Sequence, residues 1–237
     1  SDAIEPGHVL EAIRGDADGY VLSFRKGEAA REVRAGQVVL ALPFTLLRKV
    51  RIDVELPERK RNAIENLAYG SNAKLMIGFE RRVWREHHAN GASMSDLAYQ
   101  TSWDTSRKQA GSAGALTNFT GGRHGIELGQ GTPKQQAEAA VRDLERVFPG
   151  IAAARGNAAE ARMHWPSNPW VLGSYACFQP GDWSSLGGVM GEAVGGLHFA
   201  GEHCSIEAQG FMEGGCESGE LAAQAVLAQR GIQASAA

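Results

Sequence analysis

At 237 residues, with 43% hydrophobic and 22% charged side chains, the chain is long enough for one large or two modest domains with real cores. A net charge of −3 and a pI near 6.2 exclude the basic footprint of a nucleic-acid binder. No apolar run approaches the ~20 residues that a membrane span needs, so no span is expected.

The first residues, Ser1-Asp2-Ala3-Ile4-Glu5-Pro6, carry no basic n-region and no apolar h-region. A cytoplasmic protein is expected, with a removed or upstream signal left open. The three cysteines, Cys177, Cys204 and Cys216, are odd in number and lack metal-type spacing. They argue against a disulfide framework and fit a reducing compartment.

Short strands are expected at His8 to Ile13, Tyr20 to Phe24 and Ala30 to Val33, separated by the turn signals Asp16-Ala17-Asp18-Gly19 and Lys26-Gly27. The apolar run from Gln37 to Leu42 reads as a strand buried on both faces, ended by Pro43. A short helix over Phe44 to Val50 and a longer one over Glu58 to Ala68 follow. Ala73 to Phe79 reads as a strand, Arg81 to Ser95 as an irregular polar loop, and Leu97 to Thr101 and Ala115 to Thr120 as strands.

Thr132-Pro133 opens a helix from about Lys134 to Phe148, with Ala137, Val141, Leu144 and Val147 at helical spacing. Strands are expected at Ala159 to Trp165 and Gly173 to Phe178, with a turn at Pro180 to Trp183. A buried strand over Leu197 to Ala200 precedes a last helix, Phe211 to Gln229, packed through Leu221, Ala222, Ala225 and Val226. Fraying is expected over 234–237. The pattern predicts a mixed α/β (α+β) chain in two interleaved domains. Residues 1–43 and 190–237 would sit together, and 44–189 would form a mixed sheet flanked by helices.

The densest signal is Gly195-Gly196-Leu197-His198-Phe199-Ala200-Gly201-Glu202-His203-Cys204-Ser205, then Gln209-Gly210-Phe211-Met212-Glu213-Gly214-Gly215. It reads as a buried strand, a Gly-Glu turn, a loop and a glycine-rich entry into a helix. A helix N-terminus offers unpaired N–H groups and partial positive charge, and glycines let a ligand approach the backbone.

This segment resembles the last part of the flavin site in the flavin-dependent amine oxidases (monoamine, polyamine and L-amino-acid oxidases). Two further segments carry the likeness. Tyr69-Gly70-Ser71-Asn72-Ala73-Lys74-Leu75-Met76-Ile77-Gly78-Phe79, followed by Trp84, resembles the stretch in which a lysine holds a water against flavin N5 and serves reoxidation by O2. From burial alone, Lys74 must either snorkel to solvent or face a polar cavity. Trp165-Pro166-Ser167-Asn168-Pro169-Trp170, with Gly173-Ser174-Tyr175-Ala176-Cys177-Phe178, resembles the strand that carries one wall of an aromatic cage.

The resemblance implies FAD as cofactor and a C-terminal part of an FAD-binding fold plus a substrate domain. Lys74, Tyr175 and Phe211 become the candidate catalytic residues, and Gly201, Glu202, Gly210, Phe211, Met212 and Val9 the candidate cofactor contacts. Tyr175 and Cys177 fall on one side of a regular strand and Ala176 on the other, which leaves the flavin-facing side open. Cys177 reads as a buried core thiol. Many relatives carry tyrosine where this chain has Phe211, so a ring remains but its hydroxyl dipole does not. Glu202 beside a diphosphate is tolerable only if backbone N–H groups or hydroxyls satisfy it.

His87-His88 reads as surface and His203 as a solvated loop residue, with no metal site expected. The Gly-x-Gly-x-x-Gly fingerprint for a dinucleotide pyrophosphate is absent from the sequence. The likeness therefore matches only the C-terminal half of such an oxidase: a fragment, a processed subunit whose partner chain holds the N-terminal Rossmann half, or a degenerate relative. An amine substrate and O2 are the implied small-molecule partners. The alternatives are another flavin oxidation on the same scaffold, such as a desaturase or porphyrinogen-type oxidase, or a flavin-free binding or assembly subunit.

Overall fold

The computed structural model of the chain describes residues 3–232. In chain order it contains β1 (Val9–Asp16), β2 (Gly19–Lys26), β3 (Ala29–Ala35), β4 (Val38–Leu40), α1 (Phe44–Leu47), β5 (Arg51–Asp53), α2 (Glu58–Asn66) and β6 (Ala73–Phe79). There follow α3 (Val83–Glu86), β7 (Ser93–Met94), β8 (Thr101–Asp104), β9 (Gly114–Thr120), α4 (Gly122–Leu128), α5 (Pro133–Leu144) and β10 (Glu160–His164). The last elements are α6 (Asp182–Leu186), β11 (Leu197–Phe199) and α7 (Met212–Gln229). The fold is mixed α/β, with three separate sheets among the described residues. Expected fraying over 234–237 lies outside the described residues.

Two compact units divide the chain. One runs to Tyr69 and resumes at Tyr175, and the other is Gly70–Ser174. The sequence placed the switches at 43/44 and 189/190. The structural division lies elsewhere because α1 and α2 bury Phe44, Leu47, Ala63 and Ile64 in the same core as Leu40, Leu197 and Phe199.

The first unit holds a four-stranded sheet of order β3-β2-β1-β5, antiparallel except for the β1–β5 pair. It also holds a two-stranded parallel sheet of β4 and β11. Val38 and Leu40 are buried, but Val39 between them is 45% exposed. The run expected to be buried on both faces is thus covered on one, because only the inward residues meet the core.

In the second unit the sheet order is β10-β6-β9-β8-β7, antiparallel throughout. Strand β6 alternates cleanly. Ala73, Leu75, Ile77 and Phe79 are buried with Ala137, Ala140, Val141 and Leu144 of α5, while Lys74 and Met76 take the other face. Thr132 and Gln135 close a reciprocal capping box ahead of α5, with Pro133 in the first turn.

Several local expectations were overturned. Arg81 to Ser95 is not simply a loop: α3 forms there, and its Trp84 is fully buried against Phe79. The strand expected over Leu97 to Thr101 lies at β8 instead, and α4 was not foreseen. Gly173 to Phe178 is not a strand. Its one bridge joins Ala176 to Tyr69, and the Ala176 N–H goes to a side chain rather than a ladder. The turn expected at Pro180 to Trp183 opens α6. Helix α7 buries Gly214, Ser218 and Ala222, and Leu221 is exposed. Small residues four apart let that face approach its neighbours closely, so size rather than hydrophobicity selects it.

Candidate flavin site

In the first unit β11 runs into a turn at Gly201, whose φ of 134° is a backbone state that side chains avoid. A Cβ there would stand 2.6 Å from the His203 ring. Ser218 of α7 pins this turn twice: its hydroxyl donates to the Gly201 carbonyl and accepts the Gly201 N–H, each at 2.9 Å. Ser205 donates to Glu217 and accepts the Ala208 N–H. The loop before α7 is therefore stitched to the helix it leads into. Close packing continues at Gly214, where a Cβ would lie 2.3 Å from the Ala208 carbonyl oxygen.

Glu202 uses both carboxylate oxygens on backbone. Oε1 accepts the Ala176 N–H at 2.9 Å, and Oε2 accepts the Gly210 N–H at 2.8 Å. This is the satisfaction a carboxylate needs beside a phosphate-bearing ligand, and each oxygen retains lone-pair capacity for a hydroxyl. Tyr175 precedes Ala176, and its Cδ2 lies 3.8 Å from the position of a Cβ on Gly210. Phe211 follows Gly210 as the N-cap of α7, with no side-chain cap bond to the first turn. Phe211 is 71% and Met212 91% exposed. The structure thus brings Tyr175, Gly201, Glu202, Gly210, Phe211 and Met212 into one cluster. Val9 stands apart from it in the four-stranded sheet, paired with Arg25.

His203 corrects the sequence reading. It is buried, not solvated, with its ring 4.5 Å from that of Phe44. Burial, aided by the nearby Lys60 charge, pushes its pKa down to about 4. Lys60 was missed altogether. It is buried, donates to the Met190 carbonyl at 2.8 Å and lies 3.9 Å over the Phe199 ring. Burial lowers its pKa to about 8, against smaller opposing effects of Cys204 and Glu192. Burial also raises the Cys204 thiol to about 12, which keeps it protonated and unreactive. The only sequence signal for Lys60 was its place three and four residues before Ala63 and Ile64, on the same face of α2. Cys177, expected as buried, is half-buried, and all three cysteines are free.

Lys74 belongs to the second unit. It sits half-buried on the open face of β6, directly opposite Phe119. Its ammonium lies 5.8 Å from the ring centres of both Trp103 and Phe119. Neither sequence alternative, free solvent or a polar cavity, describes this aromatic setting. Alternation marks the two faces of each strand, but only the register of β6, β9 and β8 sets Trp103 and Phe119 on the Lys74 face. On the opposite face, buried Asp104 accepts from Trp84, Arg85 and Ser106. Burial pushes its carboxyl up, but these hydrogen bonds outweigh that and hold it below the ordinary range.

Residues 2–227 match the family profile described as flavin containing amine oxidoreductase. The chain belongs to this family. It is 27% identical over 191 residues to an L-amino acid dehydrogenase of Synechocystis sp., covering 80% of this chain and 40% of that protein. It is 29% identical over 202 residues to a flavin-containing amine oxidase of Danio rerio, covering 84% and 38%. Its fold is shared with cyclohexylamine oxidase from Brevibacterium oxydans, at TM-score 0.81 and 22% identity over 94% of this chain and 48% of that one. It is shared too with putrescine oxidase bound to putrescine, at TM-score 0.82 and 20% identity, covering 93% and 48%. The chain thus spans about two fifths of the length of those curated relatives, and about half of those solved chains.

Residues in the first unit fit one end of a flavin. The first turn of α7 has no side-chain cap, and buried Nε2 atoms of Gln209 and His203 have no hydrogen-bond partner. Such atoms call for a polar ligand or water. Among the described residues no group of three or more His, Cys, Asp or Glu is placed to hold a metal ion. Among them, too, no helix is long and apolar enough to cross a membrane.

Proposed function

We propose that this chain is the C-terminal portion of an FAD-dependent oxidase that converts the C–N bond of an amine or amino acid to an imine. O2 takes the two electrons and two protons and leaves as H2O2. The observation that carries this reading is the uncapped N-terminus of α7 beside exposed Phe211 and Tyr175, reached through the pinned Gly201–Glu202 turn. FAD, when bound, supplies the two-electron acceptor.

The chain's own residues bind and orient. The α7 amides and positive helix end offer donors to an electron-rich ligand edge. The Gly201 and Gly210 backbone admits close approach, Glu202 can accept from a ribityl hydroxyl, and Met212 lines the helix start. Val9 is proposed on the adenine side. Tyr175 and Phe211 offer ring faces that hold a neutral amine and exclude water. Lys74 holds a positive charge that favours transfer of negative charge to O2.

The pyrophosphate fingerprint would come from an N-terminal Rossmann half, on the same polypeptide or a partner chain. The two-stranded β4–β11 sheet, with Val39 exposed, supports further strands from such a half. A cytoplasmic setting agrees with three unpaired thiols. One observation favours a second reading, a dehydrogenase that does not use O2: the Synechocystis relative carries that name.

The test is a visible absorption spectrum and native mass of the purified protein, then an amine and amino-acid panel read by peroxide and by an artificial electron acceptor. A flavin band with peroxide from any amine supports the oxidase. Turnover with the dye alone supports the dehydrogenase. A flavin-loaded protein that oxidises no amine overturns both.

A further inference from the structure

We propose that Glu202 is a positioning residue: its single carboxylate sets the spacing between the Tyr175 and Phe211 rings. This rests on the reading of those rings as the walls that hold the amine. Tyr175 and Phe211 are 36 positions apart in sequence, and neither lies in a strand that would fix it. Each is instead the neighbour of a residue whose N–H ends on Glu202. The Ala176 N–H reaches Oε1 at 2.9 Å and the Gly210 N–H reaches Oε2 at 2.8 Å. Hydrogen bonds from backbone N–H to an ionised carboxylate are among the stronger kind.

The carboxylate is itself anchored. Gly201, one residue back, is held at both its N–H and its carbonyl by Ser218, one of the buried residues of α7. A continuous chain therefore runs from the helix through the turn to both rings. Gly210 completes it, since the Tyr175 ring edge rests over its bare Cα side, 3.8 Å from where a Cβ would stand. A carboxylate has two equivalent acceptors and can serve two N–H groups at once. A carboxamide has one acceptor, and its NH2 would face the second N–H.

The experiment is Glu202→Gln, read by amide hydrogen exchange at Ala176 and Gly210 and by steady-state kinetics of the flavin-loaded protein. Exchange at one of these two amides should speed up about tenfold, the effect of losing one charge-assisted bond. KM for amines, measured per bound flavin, should rise by a similar factor, and by more than kcat falls. If Gln does not fold, Glu202→Asp keeps the charge but shortens the reach, and must free at least one amide. Wild-type exchange at both amides overturns the proposal, and so does a freed amide with unchanged KM. Should the wild-type protein oxidise no amine, the amine reading fails on its own, and the exchange result still decides whether Glu202 ties the two segments.

Discussion

The Lys60 ammonium lies 3.9 Å from the centre of the Phe199 ring, in a core where it has one carbonyl partner and, among the described residues, no carboxylate ion pair. Its pKa falls from the ordinary lysine value to about 8 because burial disfavours the charge. The folded state therefore binds fewer protons than the unfolded one between pH 8 and 10.5. Stability from this group should rise with pH across that window by about 3 kcal/mol, at about 1.4 kcal/mol per pKa unit. Urea unfolding at several pH values should show the rise in the wild type and its absence in Lys60→Met.

His203 works in the same direction at acid pH. Its folded pKa of about 4 lies below the ordinary 6.5, so protonation opposes the fold. The stability it contributes is complete above pH 6.5 and is lost as pH falls toward 4, by about 3 kcal/mol in all. His203→Phe, which keeps a ring beside Phe44, should lessen the acid loss. Equal pH slopes in variant and wild type would remove His203 from the account.

Lys74→Met should slow reoxidation of the reduced protein by O2 by about 100- to 1,000-fold, the range for removing one preorganised electrostatic group. Reduction by substrate should change much less. Trp103→Leu takes away one of the two ring faces around the ammonium and should cost about two- to fivefold in the same step, as a cation–π contact is worth ~0.5–1 kcal/mol. Stopped-flow mixing of reduced protein with oxygenated buffer reads both. An unchanged oxidative step in Lys74→Met refutes the role.

Trp84→Phe keeps most of the buried ring but removes the 3.0 Å hydrogen bond to buried Asp104. A loss of about 1.5–3 kcal/mol is expected, as for a bond to a charged group. Thr132→Ala, by contrast, opens the α5 capping box and should cost about 1 kcal/mol. Denaturant melts of the two variants should keep that order.

Strand β6 and helix α5 were legible because each carries its own period and, for α5, its own cap. The Gly201 turn and the entry to α7 were legible from glycines, a strand and a helix in order. The tether at Ala176 was not, because an apolar run holding Tyr175 and Phe178 is the same string whether its amides join a ladder or meet a distant carboxylate. Helix α3 was hidden by charged neighbours that flank one buried tryptophan. His203 carried no mark of burial, and Lys60 only its helical spacing to Ala63 and Ile64, because a polar side chain in a short or charged segment reads as solvent-facing.

The sequence by itself determined the family, the mixed α/β class and the segments that carry the candidate chemistry, since these rest on local order and residue type. Tertiary structure alone decided that Glu202 reaches Ala176 and Gly210, that Trp103 and Phe119 flank Lys74, and that Lys60 and His203 lie in a core. Each is a meeting of residues far apart in the chain or an exclusion of water, and both arise only when packed elements share a space.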